Sequence, residues 1–139
     1  MTRALQFFQP MVPPKITHNA LEVRYRSDGG KRVPYIGKSD ALKQAEAKWH
    51  AYLGRHAPGR PFSGPVRVEY RICWPTDGKH AQGEPMTAKP DNDNSEKVLN
   101  DVLVRLGFLA DDRFIASNET MKMWSDPAGI FVRIEEMEF

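Results

Sequence analysis

The amino-acid sequence predicts a single α+β domain in which two principal helices pack on a β-sheet. Two patterns support this fold class. Apolar residues recur at every second position in several short segments, and with a period near 3.6 in two longer ones. The chain length of 139 residues is that of one ordinary domain. Because no repeat or linker divides the chain, we expect one domain over residues 1–139.

The N-terminal segment is predicted to form a short strand over residues 5–9, which Pro10 ends. A stiff loop follows, because the two prolines at 13–14 restrict the backbone. Such a loop can present polar groups at fixed positions. Lys15 and Asn19 are the candidates in this segment.

A hairpin and a helix are expected next. Residues 21–25 alternate between apolar and polar, residues 28–30 read Asp-Gly-Gly, and residues 32–36 could return as the partner strand. Ser39 is a suitable N-cap for a helix over residues 40–56, whose apolar stripe we assign to the core.

The second half of the chain contains three further strand patterns. Residues 66–72 alternate clearly, and two later strands are expected near residues 114–124 and 130–137. Residues 76–88 show no periodicity, so we predict a mobile loop there.

The second helix is predicted to follow this loop. Asp93 and Glu96 have the spacing of a capping box, which places the helix start at residue 94 or 95. Gly107 is the expected left-handed residue that ends the helix.

Composition excludes several classes of protein. The single cysteine, Cys73, rules out an internal disulfide and a zinc site of paired thiolates. No apolar run approaches the roughly 18 residues of a membrane span, and the first apolar stretch is shorter than that of a signal peptide. We therefore expect a cytoplasmic protein.

The net charge of +2 does not by itself indicate a nucleic-acid partner, but it is unevenly distributed. Residues 1–60 hold 11 Lys/Arg against 4 Asp/Glu, and residues 61–139 hold 9 against 14. The first part could therefore neutralise phosphates while the second supplies metal-binding carboxylates. Solvated surface charge accounts for the same distribution equally simply.

The most informative segment is residues 89–97, Lys-Pro-Asp-Asn-Asp-Asn-Ser-Glu-Lys. On an extended backbone Asp91 and Asp93 project to the same side, where they repel each other unless a cation lies between them. Lys97 follows Asp93 by about one helical turn, and an Asp-Asp pair comes later at 111–112. This arrangement suggests hard metal ions that hold a phosphate.

Two alternative roles for this segment remain open. Asp93 could simply cap a helix while the remaining carboxylates lie in polar loops. A calcium loop fits at Asp91, Asp93 and Ser95, but it fails where Glu96 replaces the glycine and Val102 the final glutamate.

The ordered set of acidic motif, amphipathic helix, Gly107 and Asp-Asp pair closely resembles the RusA family of Holliday junction resolvases. The resemblance is strongest over residues 89–124 and weaker in the Pro-rich N-terminal loop. One departure is Asn92, where the family usually has an apolar residue, and another is a longer N-terminal section. The resemblance implies a RusA-like α+β fold with a mixed β-sheet.

Carried over by position, the resemblance implies four catalytic residues: Asp91, Asp93, Lys97 and Asp112. The three aspartates would ligate one or two Mg²⁺ ions, for which Mn²⁺ can substitute, and Asp111 is a further candidate ligand. Lys97 would stabilise the extra negative charge on the phosphate or orient the attacking hydroxide.

The resemblance also implies a Mg²⁺-dependent endonuclease that resolves four-way DNA junctions by paired nicks, acting as a homodimer in DNA recombination and repair. Candidate phosphate contacts are Lys15, Asn19, Lys89, Arg113 and Lys122. We expect no membrane and no small-molecule cofactor, and a bacterial or phage-infected cell as the host. The alternatives are a nuclease acting on flaps or forks, a non-cutting DNA-binding module, and a structural domain stabilised by divalent ions.

Overall fold

The computed structural model of the protein describes residues 2–15 and 21–139. The strands in these ranges are β1 (Ala4–Pro10), β2 (Leu21–Asp28), β3 (Lys31–Lys38), β4 (Val66–Trp74), β5 (Ile115–Trp124) and β6 (Gly129–Glu136). The α-helices are α1 (Asp40–Leu53) and α2 (Asn92–Arg105). The predicted α+β fold with a mixed sheet and two helices is confirmed. The predicted phosphate contact Asn19 lies outside the described residues.

Four strands form the main sheet in the order β1, β6, β4, β5. The strand β6 pairs antiparallel with both β1 and β4, whereas β4 and β5 run parallel. Parallel neighbours need a crossover connection, and here α2 and the loop before it provide one. In the described part of the chain, no helix has the length and apolar character to span a membrane.

The core lies between one face of this sheet and the two helices. Along β4, Val68, Tyr70 and Ile72 are almost fully buried, as the alternation in the sequence predicted. Trp49 of α1 and Leu103 of α2 join the same apolar cluster. Both helices therefore cover one side of the sheet, and the opposite side carries the polar alternates of β4.

The first helix begins where the sequence predicts it. The Ser39 side chain accepts a hydrogen bond from the backbone N–H of Leu42 at 3.1 Å, which is an N-cap contact. The α-helix ends at Leu53, and the last predicted turn is a 3₁₀ turn over Gly54–His56.

The second helix begins earlier than predicted. Its N-cap is Asp91 and its first residue is Asn92, two or three positions before the expected start at residue 94 or 95. The capping-box prediction is wrong, because the Glu96 carboxylate bonds the side chain of Thr120 on β5 instead of the helix backbone. The predicted end at Gly107 is confirmed by its left-handed φ of +84°.

The hairpin of β2 and β3 lies outside the main sheet. Its turn uses Gly29 and Gly30 with φ of +58° and +81°, values that glycine adopts without strain. The hairpin exposes apolar side chains, with Val23 61% and Ile36 76% exposed. An ion pair between Lys38 and the buried carboxylate of Glu46 in α1 connects the end of the hairpin to the rest of the domain.

The segment before α2 was expected to be a mobile loop, but the structure corrects this expectation. The N–H of Gly83 donates to the carbonyl of Trp124 at 2.7 Å, and the N–H of Met86 donates to the carbonyl of Lys122 at 3.1 Å. The Met86 side chain is also buried. These contacts along the outer edge of β5 arise from tertiary pairing, which an aperiodic sequence does not reveal.

Candidate active site

The first turn of α2 is fixed to the edge strand β5 through one residue. Asn92 donates its side-chain amide hydrogen to the Thr120 carbonyl at 3.0 Å. The Thr120 hydroxyl donates to the Glu96 carboxylate at 2.5 Å. A hydrogen bond to a charged group is stronger than a neutral one, so this pair defines where the helix starts relative to the sheet.

Lys122, two residues further along β5, holds the loop that leads into α2. Its ammonium donates to the Ala88 carbonyl at 2.5 Å and to the Pro90 carbonyl at 2.7 Å. The lysine therefore has an internal role that the sequence did not suggest. An ammonium has three donor hydrogens, and these two bonds use two of them. The predicted contact of Lys122 with DNA stays a prediction.

A second set of hydrogen bonds fixes the middle of α2. The Tyr70 hydroxyl on β4 donates to Asn100 at 2.7 Å, and Asn100 donates to Asn118 on β5 at 2.7 Å. Asn118 in turn donates to the Val68 carbonyl at 3.2 Å. This network joins the helix to both parallel strands and sets its direction, because residue 92 faces residue 120 while residue 100 faces residue 118. The helix thus runs antiparallel to β5.

Three of the predicted catalytic residues project from the start of this helix. The side chains of Asp91, Asp93 and Lys97 are all exposed. The Asp91 carboxylate makes no capping hydrogen bond, and no ion pair in residues 2–15 and 21–139 involves any of the three side chains. Asp93 and Lys97 are four residues apart and lie on one helix face. The two carboxylates are therefore open to a cation from solvent.

The Asp-Asp pair lies in the connection between α2 and β5. Asp111 precedes a 3₁₀ turn over Asp112–Phe114, and its carboxylate accepts the backbone N–H of Arg113 at 2.9 Å. This hydrogen bond is the main reason why the pKa of Asp111 is lowered, and the adjacent Asp112 carboxyl and Arg113 guanidinium act in the same direction. Asp111 is thus occupied in shaping the turn, whereas Asp112 is exposed.

The predicted aspartates are not gathered into one site within a single chain. The helix α2 has 14 residues and a length of about 20 Å. Because α2 runs antiparallel to β5, Asp91 and Asp93 lie at one end of the helix. Asp112, which precedes the first residue of β5, lies near the other end. Among the residues that the structure describes, no group of three His, Cys, Asp or Glu side chains could hold a metal ion. The described residues of one chain thus form no three-carboxylate metal site, and these ligand roles stay predictions.

The candidate phosphate contacts divide into two groups. Lys15 and Lys89 line one cleft at the end of the sheet, next to the start of α2. Arg113 is exposed beside the Asp-Asp pair, with its guanidinium carbon 5.1 Å from the centre of the Phe114 ring. The contact of each of these residues with DNA remains a prediction.

The sequence did reveal the acidic residues, but it did not identify the polar residues that position them. Asn118, Thr120 and Lys122 occur at every second position of β5 and contact α2 or the loop before it. Three polar residues on one face of a strand are unusual if that face meets a helix. This alternation was the available signal for a polar helix–strand contact.

The comparison with known families agrees with this architecture. Residues 12–135, most of the chain, match the family model described as endodeoxyribonuclease RusA. No curated protein matches the chain significantly. The nucleases of this family are Holliday junction resolvases and depend on metal ions. The chain belongs to the RusA endodeoxyribonuclease family.

Proposed function

We propose that this protein is a Mg²⁺-dependent homodimeric nuclease that resolves four-way DNA junctions by paired nicks in opposed strands, in DNA recombination and repair. Mn²⁺ is expected to substitute for Mg²⁺. The observation that carries the proposal is the start of α2, where Asp91, Asp93 and Lys97 are exposed and outside any ion pair of the described residues. We expect it to act in the cytoplasm of a bacterial or phage-infected cell.

Oxygen ligands on Asp91 and Asp93 suit a hard divalent cation, which neutralises the attacked phosphate and activates water when it is bound. The lysine on the same face has a separate role. The Lys97 ammonium, one helical turn from Asp93, would stabilise the negative charge that develops on the phosphate. The hydrogen bonds to Thr120 hold the two acidic residues in place, so little reorganisation is needed during the reaction.

Two chains are required on grounds of symmetry and of geometry. A four-way junction has two-fold symmetry, and each chain has one acidic motif, so paired nicks need a symmetric dimer. Asp112 lies away from Asp91 and Asp93 within the chain. A partner chain is the physically available source of a third carboxylate for each site, and we propose that the dimer completes the site in this way.

The test is cleavage of a synthetic four-way junction by wild type and by Asp91→Asn, with and without Mg²⁺. Asp28→Asn, which changes an exposed carboxylate at the hairpin turn, is the matched control. We expect wild type and the control to cut only with the metal, and Asp91→Asn to lose at least 100-fold in rate, on the order of the contribution of one catalytic group. Undiminished cutting by Asp91→Asn would overturn the proposal.

Further substrates separate this proposal from its rivals. Flaps, forks and linear duplexes of the same sequence are included at equal concentration. Preferential cutting of flaps or forks would replace junction resolution with a broader branched-DNA nuclease. Binding of the junction without any cutting would instead indicate a DNA-binding module.

A further inference from the structure

A cleft of about 520 Å³ lies at the end of the sheet where β4 and β5 stop. We call it the tryptophan cleft, because Trp74 and Trp124, the last residues of those strands, form part of its wall. The Pro-rich loop after β1, one side chain of α1, Pro75 after β4 and the loop before α2 form the remainder. The lining residues used below are Trp74, Trp124, Lys15, Lys48, Lys89 and Ala88.

The lining combines aromatic rings with cations. Two indoles and three lysines line the tryptophan cleft, and no carboxylate does so among the described residues. Trp74 is 4% exposed, and its indole N–H has no hydrogen-bond acceptor in the described part of the chain. A ligand that suits this lining has a flat ring, hydrogen-bond acceptors and negative charge. A nucleotide has all three, and the cleft is within the size range of small-ligand sites.

The orientation of Trp124 is already fixed by a neighbour. The His80 ring stacks on it with centroids 4.4 Å apart and an interplanar angle of 3°. A base can therefore stack only on the other face of this indole. Stacking on an aromatic side chain stabilises a bound base whatever its sequence, which suits an enzyme that recognises the shape of its substrate.

The tryptophan cleft is also joined directly to the candidate active site. Ala88 and Lys89 line the cleft, and Asp91 follows Lys89 by two residues, a span of at most about 8 Å between their α-carbons. Because Lys122 bonds the carbonyls on both sides of Lys89, this short connection is held in place. A DNA strand with one base in the cleft would continue past the two aspartates.

We propose that the tryptophan cleft binds one unpaired nucleotide of the branched DNA substrate, with the base against Trp124 and the flanking phosphates near Lys15 and Lys48. This proposal rests on the proposed function for the identity of the substrate. At a four-way junction, base pairs next to the branch point are the ones that open most readily. The cleft thereby selects DNA in which a base can leave its stack beside the cleavage site.

The first experiment maps the contact on the wild-type protein without metal. A four-way junction with 5-iododeoxyuridine at the branch point is bound in EDTA and irradiated, and the cross-linked peptide is identified by mass spectrometry. We expect the cross-link on the peptide that contains Trp124, and none with a linear duplex that has the same label. Cross-links that map only outside the lining of the tryptophan cleft overturn the proposal.

The second experiment tests the lysines by the salt dependence of binding to a single-stranded oligonucleotide. Lys15→Ala and Lys48→Ala are each expected to lower the slope of log K against log salt by about 0.7, the contribution of one phosphate contact on a single strand. Lys43→Ala, on the same helix as Lys48 but outside the lining, is the matched control. Slopes that match wild type in both cleft variants, or an equal loss in the control, contradict the proposal.

A third experiment distinguishes free nucleotides from DNA as the ligand of the cleft. It also distinguishes failure of the cleft proposal from failure of the proposed function. Thymidine monophosphate that competes as well as the oligonucleotide, compared per nucleotide, would assign the cleft to free nucleotides and overturn its role in DNA. Junction cutting without the Trp124 cross-link refutes only the cleft. A cross-link to single-stranded DNA without junction cutting refutes the proposed function and leaves the cleft as a nucleotide site.

Discussion

Thr120 donates its hydroxyl hydrogen to the carboxylate of Glu96 at 2.5 Å, and this bond joins the edge strand to the helix that begins at Asp91 and Asp93. The same threonine accepts a hydrogen bond from Asn92 through its carbonyl. The acidic motif, though exposed, is therefore mounted on a fixed support. Its position depends on a residue more than twenty positions away in the sequence.

Thr120→Val should weaken this support while retaining the shape of the side chain. We expect a loss of about 1 kcal/mol in the free energy of unfolding, because a carboxylate hydrogen bond is removed and Glu96 can still reach water. The rate of junction cutting should fall about tenfold, since the aspartates are less well positioned. Urea denaturation and single-turnover cleavage measure the two effects. Thr87→Val, on an exposed loop residue, should change neither, and unchanged cutting by Thr120→Val would contradict the role of this bond.

Tyr70 is predicted to remain un-ionised up to alkaline unfolding. Burial raises its pKa well above the usual 10.0, and the carboxylates of Glu96 and Asp101 raise it further. Above about pH 10 the unfolded chain loses this proton while the folded chain keeps it, so stability falls as pH rises. Ultraviolet titration should find that one of the four tyrosines ionises only when the fold is lost.

Removing the same hydroxyl tests its bond to Asn100. Tyr70→Phe should lower the free energy of unfolding at pH 7 by about 1–3 kcal/mol, because the Asn100 carbonyl loses its donor inside the protein. It should also remove part of the stability loss above pH 10. Tyr25→Phe, at an exposed position of the hairpin, is the control. Equal effects of the two substitutions would contradict the network.

Glu46 is predicted to make stability depend on pH in the acidic range. Burial raises its pKa, but the ion pairs with Lys38 and Arg105 outweigh burial and lower the pKa below 4.5. The stability that Glu46 contributes is fully present above its pKa in the unfolded chain. It is lost as the pH falls through its pKa in the folded protein. Glu46→Gln should therefore destabilise the protein at pH 7 by about 1–3 kcal/mol, and less at pH 3. Denaturation curves from pH 3 to pH 7 measure this difference, and Glu138→Gln should leave the curves unchanged.

Local patterns predicted most of the elements of this fold. Ser39, the alternation along β4 and Gly107 each act through their own backbone or their immediate neighbours, so the sequence is sufficient to place them. The start of α2 was misplaced because Glu96 has a stronger partner on β5 than at its own helix terminus. Contacts between distant segments decide such cases.

In the candidate site too, the sequence predicted the local pattern but not the contacts between distant segments. The sequence identified Asp91, Asp93 and Lys97 as a local motif, and all three are exposed on α2. It also placed Asp112 with them, since spacing along the chain does not give the direction in which a helix crosses a strand. The antiparallel course of α2 along β5 separates Asp112 from the motif. This direction is set by tertiary hydrogen bonds such as that between Asn100 and Asn118.

Affinity for DNA is expected to respond in opposite directions to two neighbouring substitutions. Asp93→Asn should bind a four-way junction in EDTA as tightly as wild type or more tightly, because a carboxylate that repels phosphate is removed. Lys97→Ala should bind more weakly, with a salt slope reduced by about 0.9. Fluorescence anisotropy over a range of salt measures both. Binding by Asp93→Asn that is tenfold weaker than wild type would mean that this carboxylate organises the DNA site itself.

The separation of Asp112 from the other aspartates predicts complementation between two inactive variants. Asp91→Asn and Asp112→Asn should each be inactive alone. If the partner chain completes each site, a mixed dimer pairs the intact Asp91 of one chain with the intact Asp112 of the other, which regenerates one site of two. Mixing the variants after mild unfolding and refolding should therefore restore nicking of a single strand per junction. About a quarter of the wild-type nicks should return, because random reassociation makes roughly half of the dimers mixed and each mixed dimer has one intact site of two. If all ligands came from one chain, both sites of the mixed dimer would stay defective and no nicking would return. A denaturing gel with each strand labelled in turn distinguishes these outcomes.

The control is a mixture of Asp91→Asn with Asp93→Asn, which should remain inactive. In this mixture each site lacks one of the two aspartates at the start of α2.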